Sequence, residues 1–314
     1  RAAPAGDSQE GGGHGPVSDP PTLEARPVAF LGVRARAPAS SANLGPGFDT
    51  LALALDCHVT VEITPAASLS VRASGCGSEL PADATHLAAR VAIAVAGTDR
   101  LAVSVHSEIP VGRGLGSSAA LVVAAAAAAG AGDPFAWGAR YDGHLDNSAA
   151  SALGGLVAAA DLGGRPVARR LPIDPDLRAV VLVPDRPLPT ALARAALPET
   201  VSRSDATFNL GRMGILIAGL ADLDSLAAGA GDDRLHQDAR AGLFPQAPGL
   251  LARLREAGAL TSFWSGAGPS LVGICASDAA AQLGKVGIEA LERAGVAGQV
   301  RVLAPDLTGV VVTP

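Results

Sequence analysis

Lysine is almost missing from this chain: Lys285 is the single one among 24 Lys+Arg, so the remaining 24 − 1 = 23 basic residues are arginine. A phosphate-binding P-loop needs a lysine directly after its last glycine, a protein kinase needs one in its third strand, and a pyridoxal-phosphate enzyme needs one as Schiff base. Lys285 lies in none of these contexts, so those routes are excluded. Cysteine is scarce as well. Cys57, Cys76 and Cys275 are scattered and odd in number, which excludes a disulfide framework or a paired-cysteine zinc site and points to a reducing, cytoplasmic setting. The longest uncharged apolar stretch, Ala119 to Ala131, falls short of the ~20 residues that a bilayer span requires, so no membrane partner is expected. Basic residues are outnumbered by 30 Asp+Glu, giving a net charge of −6, and nucleic acid is not expected as a partner either.

What is present is apolar material. In 314 residues, 48% are hydrophobic and 17% charged, enough for two modest domains or one large α/β unit with a real core. Residues 1–32 are rich in Gly, Pro and Ser with no apolar h-region, and read as a flexible tail, not a secretory signal. Strand signals follow at Val33–Ala37, Leu51–Ile63 and, by strict alternation, at Leu101, Val103 and Val105. Ser117–Ala129 is almost wholly Ala, Val and Leu, a helix with no polar face and hence a buried one. The second half predicts helices at 146–153, 190–197, 203–221, 246–257 and 278–294. Strands are expected up to Ala160 and at 180–183, 271–275, 300–303 and 310–312. Without regular βα alternation, the pattern is α+β.

Three glycine-rich stretches carry the chemistry. In Pro110-Val-Gly-Arg-Gly-Leu-Gly-Ser-Ser-Ala-Ala120, Gly112, Gly114 and Gly116 let the backbone approach a ligand, and Ser117 is placed to cap the following helix. Such a loop aims backbone N–H groups and a positive helix end at one spot, which binds phosphate without a lysine. A second stretch, Ala37-Pro-Ala-Ser-Ser-Ala-Asn-Leu-Gly-Pro-Gly-Phe-Asp49, sets Asn43 and Asp49 on a loop that a solvated Asx turn would equally explain. The third is Ser265-Gly-Ala-Gly-Pro-Ser270. His106 and His236 read as ordinary polar histidines in preference to an acid or base.

Together the three stretches resemble the motifs of the GHMP small-molecule kinases, and the first is most similar to the homoserine kinase branch, which has no lysine there. The resemblance runs from about Arg34 to the end. It implies an N-terminal ribosomal-protein-S5-like domain over 33–175, containing a left-handed βαβ unit, and a ferredoxin-like C-terminal domain over 176–314. It also implies ATP and Mg²⁺ as cofactors, L-homoserine as the small-molecule substrate, a step of threonine biosynthesis, and a homodimer. Residue by residue, Pro110, Val111, Gly112, Arg113, Gly114, Leu115, Gly116, Ser117, Ser118, Ala119 and Ala120 would wrap the ATP phosphates. Asn43, Asp49, His144, Arg194, Arg240 and Gly268 would bind substrate, and Asn147, Thr190 and Arg194 would serve catalysis. Ser117, Ser118 and Asp142 would hold the metal. The histidine signature reads Asp142-Gly-His-Leu-Asp-Asn147 here, Arg140 and Asp142 stand where the family often has glutamates, and the stretch from Ser118 to His144 is shorter than usual, as if part of a helical hairpin were missing. These departures keep two alternatives open: a non-catalytic nucleotide- or metabolite-binding protein of the same fold, or a kinase of another small alcohol.

Overall fold

The computed structural model describes residues 33–314; the tail expected at 1–32 lies outside the described residues. The chain opens with a meander of long strands, β1 (Val33–Ala42) and β2 (Leu51–Pro65), paired antiparallel. Their small and β-branched residues are buried on both faces over much of their length. A register shift between Pro38 and Ala39 forms a bulge at the one proline that could not serve a regular ladder. β3 (Ser70–Gly75), helix α1 (Leu87–Ala96) and β4 (Leu101–Ser107) follow as a βαβ unit, with β3 and β4 parallel. Neither β3 nor α1 is visible as a pattern in the sequence. β3 is an edge strand with a single buried residue, Val71, so it lacks the alternation that marks β4.

Helix α2 (Ser117–Ala128) then runs through the centre of this half, with nine buried residues among its 12. The expectation of a helix without a polar face holds, and alanine is what lets it lie against β1, β2, α1 and the next helices on all sides. Ser117 is not the cap: Gly116 holds that position in a left-handed conformation, and no side chain caps the helix. α3 (Pro134–Asp142), capped by the Asp133 carboxylate, and α4 (Leu145–Leu153) complete the layer. So the short stretch after Ser118 still contains a full returning helix. β5 (Leu156–Asp161) and β6 (Pro166–Leu171) extend the first sheet, in which β1, β2, β4 and β3 lie side by side in that order, with β5 beside β2 and β6 beside β5.

The second half contains β7 (Leu177–Pro184), α5 (Thr190–Ala195), α6 (Arg203–Ala221), the single turn α7 (Gln237–Arg240) and α8 (Ala247–Glu256). It continues with β8 (Thr261–Trp264), β9 (Leu271–Ala276), α9 (Ser277–Arg293) and β10 (Gly298–Leu303). Its sheet order β10-β7-β9-β8 is the split βαβ arrangement of a ferredoxin-like domain. The chain does not end there. β11 (Val311–Thr313) returns to the first sheet and pairs with β1 through Arg34 and Thr313, so the second domain is not a closed stretch from 176 to the terminus. The returning segment is fastened by Asp306, whose carboxylate accepts hydrogen bonds from His58 Nε2 (2.8 Å) and from the N–H groups of Thr308 and Gly309. Among the described residues no helix is long and apolar enough to cross a membrane.

Candidate active site

The three glycine stretches, joined by hydrogen bonds that span as many as 224 residues of sequence, meet at one place. Ser40 of β1 donates its N–H to Leu115 O, Gly266 donates to Ala42 O, and Ser270 donates to Arg113 O. Ser265 Oγ donates to Gly114 O at 2.6 Å. Gly114 and Gly116 lie in the left-handed region, and a Cβ on Gly114 would come within 2.3 Å of Ser265 O, one on Gly116 within 2.1 Å of Ser40 Oγ. These two glycines are therefore required by the neighbouring loops of the protein, and only Gly112, whose Cβ would meet nothing nearer than Pro187 at 3.5 Å, is free for a ligand's approach. The loop ends on the N-terminus of α2, where the first-turn N–H groups and the helix dipole face the cleft.

The cleft, about 740 Å³ and open at its mouth, is lined on one side by Val111 to Ser118 and on the other by Asn43, Asp49, His144, Thr190, Arg194 and Arg240. A second, more apolar cleft of about 890 Å³ shares Val111, Ser117 and Ser118 with it and extends past Cys76, Leu80, His86 and Leu121. The sequence gives no sign of it, because much of its wall comes from β3, the start of α1 and the loop between them, with the rest from β2, β4 and α2.

On the substrate side, Asn43, Leu44 and Asp49 all have positive φ (72°, 48° and 51°), a conformation that costs non-glycine residues free energy and gathers at functional sites. The Asn43 side chain holds the turn together. Its Oδ1 accepts from Asp49 N at 3.0 Å and its Nδ2 donates to Gly266 O at 2.8 Å. Asp49 forms a two-pronged pair with Arg194 (2.8 and 3.1 Å). Thr190 and Arg194 lie one turn apart on α5 and both border the cleft, as their spacing predicts. Arg240 is buried and donates from Nε to Ala193 O and from Nη1 to Gly266 O and His236 Nδ1. Burial lowers its pKa to about 10, with the Asp49 charge opposing, so it is charged at neutral pH.

At the floor, Ser118 Oγ donates to Asp142 Oδ1 and His144 Nδ1 donates to Asp142 Oδ2 at 3.1 Å. The hydrogen bond to Asp142 raises the His144 pKa against the effect of burial. A serine hydroxyl and a carboxylate beside a phosphate loop are the hard oxygen donors that Mg²⁺ takes when phosphates supply the rest of its shell. Arg140, the other residue at the glutamate positions, rests 5.9 Å over the Trp137 ring and does not line the cleft. Asn147 accepts from Ser40 Oγ at 2.9 Å and donates to Asp146 Oδ1 at 3.3 Å. Asp146 itself escaped the sequence reading. It is buried against the cleft, burial pushes its carboxyl up to about 6 with Asp49 adding to the effect, and the Asn147 N–H opposes both. The Asp-Asn pair in the histidine signature was the available signal.

Four of the expected site residues do not border the cleft. Ala119 and Ala120 are fully buried within α2, and Pro110 precedes the part of the loop that faces ligand space. Gly268 packs on the Trp264 ring, where a Cβ would come within 2.5 Å, and Gly266 and Ala267 line the cleft in its place.

Comparison with known proteins identifies the family. The GHMP kinases N terminal domain matches residues 83–133, and the GHMP kinases C terminal domain matches residues 216–298. The chain is 42% identical to a homoserine kinase of Solibacter usitatus over 76% of its own length and 83% of the relative's. To a homoserine kinase of Moorella thermoacetica it is 39% identical over 88% and 98%. The crystal structure of homoserine kinase from Cytophaga hutchinsonii superposes with a TM-score of 0.80 at 26% identity, covering 91% of this chain and 98% of that one.

Proposed function

This chain belongs to the homoserine kinases, a branch of the GHMP kinases, and from that premise we propose that it transfers the γ-phosphoryl group of ATP to the side-chain hydroxyl of L-homoserine. The products are O-phospho-L-homoserine and ADP, a step of threonine biosynthesis. The observation that carries the reading is the meeting, in one cleft, of a glycine loop at a helix N-terminus with two arginines and a carboxylate suited to an amino acid's charged groups. The hydroxyl oxygen bonds to the γ-phosphorus, the bond to the bridging oxygen of ADP breaks, and the hydroxyl proton passes to an oxygen of the transferred phosphoryl group and from there to solvent.

In this reading Val111 to Ser118 wrap the phosphates, and the apolar cleft behind them takes the nucleoside. Ser118 and Asp142, with Ser117 adjacent, would hold Mg²⁺, which when bound neutralises phosphate charge. Arg240 and Arg194 receive the homoserine carboxylate, and guanidinium groups suit that task because they donate in a planar fork. Asp49, an acceptor, takes the ammonium. His144, Asn43 and Thr190 complete the substrate wall, and Asn147, fixed between Ser40 and Asp146, orients the hydroxyl. An asparagine accepts no proton, so the rate rests on alignment and charge neutralisation. The contact between Ser118 and Asp142 favours this reading over a non-catalytic binding protein, because the acidic group stands at the phosphate loop. The working form is a homodimer in the cytoplasm. The latter fits the three cysteines, Cys57, Cys76 and Cys275, which are all free thiols.

An ADP-release assay offering homoserine, shikimate, mevalonate and galactose separately tests the substrate. Release with homoserine alone is expected. Release with any of the other three but not with homoserine would overturn the assignment.

A further inference from the structure

Arg240 carries its charge into the protein without a carboxylate. Among the described residues no Asp or Glu lies within salt-bridge distance of it, and its three acceptors, Ala193 O, Gly266 O and His236 Nδ1 (2.9 Å), are all neutral. A buried guanidinium ordinarily demands an anion; here the group lies 5.6 Å over the Phe48 ring, its Nη2 makes no hydrogen bond among the described residues, and Arg240 lines the cleft.

His236 makes this arrangement possible. Its Nε2 lies 2.9 Å from Gly45 O, a group that only accepts, and its Nδ1 faces Arg240 Nη1, a group that only donates. Those partners dictate one tautomer: hydrogen on Nε2, lone pair on Nδ1. The neighbouring Asp233 Oδ2, 3.6 Å from Nε2, favours the same tautomer and is engaged by the N–H groups of His236 and Gln237 and, through its other oxygen, by Asn209. Burial lowers the pKa of His236 to about 4, against the pull of Asp233 and with Arg240 adding to the shift. The ring also stacks on Phe48 at 5.0 Å, so it touches the Asn43–Asp49 turn twice, through Gly45 and through Phe48.

We propose that His236 is a positioning residue that aims Arg240 at the substrate carboxylate, couples that aim to the Asn43–Asp49 turn, and does so as a neutral acceptor so that the arginine's charge stays reserved for substrate. A carboxylate at position 236 would make the same hydrogen bond and cancel that charge. The inference rests on the homoserine reading above.

The test compares His236→Gln with His236→Glu, side chains of equal length that differ in charge, alongside Arg240→Ala. With H236Q the homoserine KM stays within about threefold of the parent, and with H236E it rises by about tenfold or more, while the KM for ATP is unchanged in both. H236E in the R240A background adds no further rise. 3-Amino-1-propanol, which lacks the carboxylate, is turned over equally by the parent and H236E. Equal homoserine KM values for H236Q and H236E, or a loss by H236E that adds to that of R240A, would overturn the role of His236. Absence of homoserine turnover by the unmodified chain would overturn the functional reading instead, so the two failures are distinguishable.

Discussion

Arg240 and Asp146 set the balance of charge at residue scale, and they do so in opposite ways. Arg240 keeps its charge through neutral hydrogen bonds, so Arg240→Ala removes a charge-assisted contact worth about 2–4 kcal/mol and raises the homoserine KM by roughly 30- to 1,000-fold with little change for ATP. Steady-state kinetics with each substrate varied in turn check this, and an equal loss for both substrates contradicts it. Asp146 instead bears a cost. Its folded pKa of about 6 lies above the ordinary 3.8, so the folded chain keeps that proton longer than the unfolded chain does. Stability from this group therefore falls as pH rises from 3.8 to about 6 and is flat above. At pH 7 the cost is about 3 kcal/mol. Asp146→Asn is expected to stabilise the fold by about 1–3 kcal/mol at pH 7 while lowering turnover, with the gain shrinking toward pH 4. Urea melts at the two pH values measure it, and a less stable variant at pH 7 would contradict the assignment.

At the scale of elements, the phosphate loop and α2 were legible because their signals are local: glycines at alternate positions, then an uninterrupted run of small apolar residues. What each glycine is for was not legible. The sequence suggests three equal openings for a ligand, whereas Gly114 is pressed against Ser265, in the loop after β8, and Gly116 against Ser40 of β1. Gly114→Ala should cost about 2 kcal/mol or more and abolish ATP binding, because its Cβ meets a backbone oxygen that cannot move aside. Gly112→Ala, with open space, should cost only the roughly 1 kcal/mol of a left-handed backbone. Thermal melts with and without Mg·ATP rank the two, and the reverse order would contradict the packing argument. Elements without local signal were missed for the same physical reason. β6 has no buried residue and so shows no alternation, and α7 is a single turn, too short for a period.

For the whole molecule, the α+β class and the ferredoxin-like order of the second sheet followed from the sequence and its resemblance, but the return of β11 to the first sheet did not. A strand is expected at 310–312, but three residues do not say which sheet they join, and their partner β1 lies far away in sequence. Asp306 fastens this return. Burial alone would raise its pKa, yet the hydrogen bonds from His58 and from the N–H groups of Gly309 and Thr308 hold it below the usual carboxylate range. A depressed folded pKa contributes stability that is present above the unfolded value and lost as pH falls through the folded one. Asp306→Ala should therefore cost about 1–3 kcal/mol at pH 7, and the parent and variant should converge as pH is taken below 3.8. A constant difference across that range would contradict the role of the carboxylate. The molecule as a whole serves one transfer, from ATP to homoserine. ³¹P NMR of the chain with Mg·ATP and L-homoserine should show a phosphomonoester resonance growing in equal amount to ADP, at the expense of the ATP γ-phosphate. ATP bound but unconsumed, or converted to inorganic phosphate with no phosphomonoester, would contradict it.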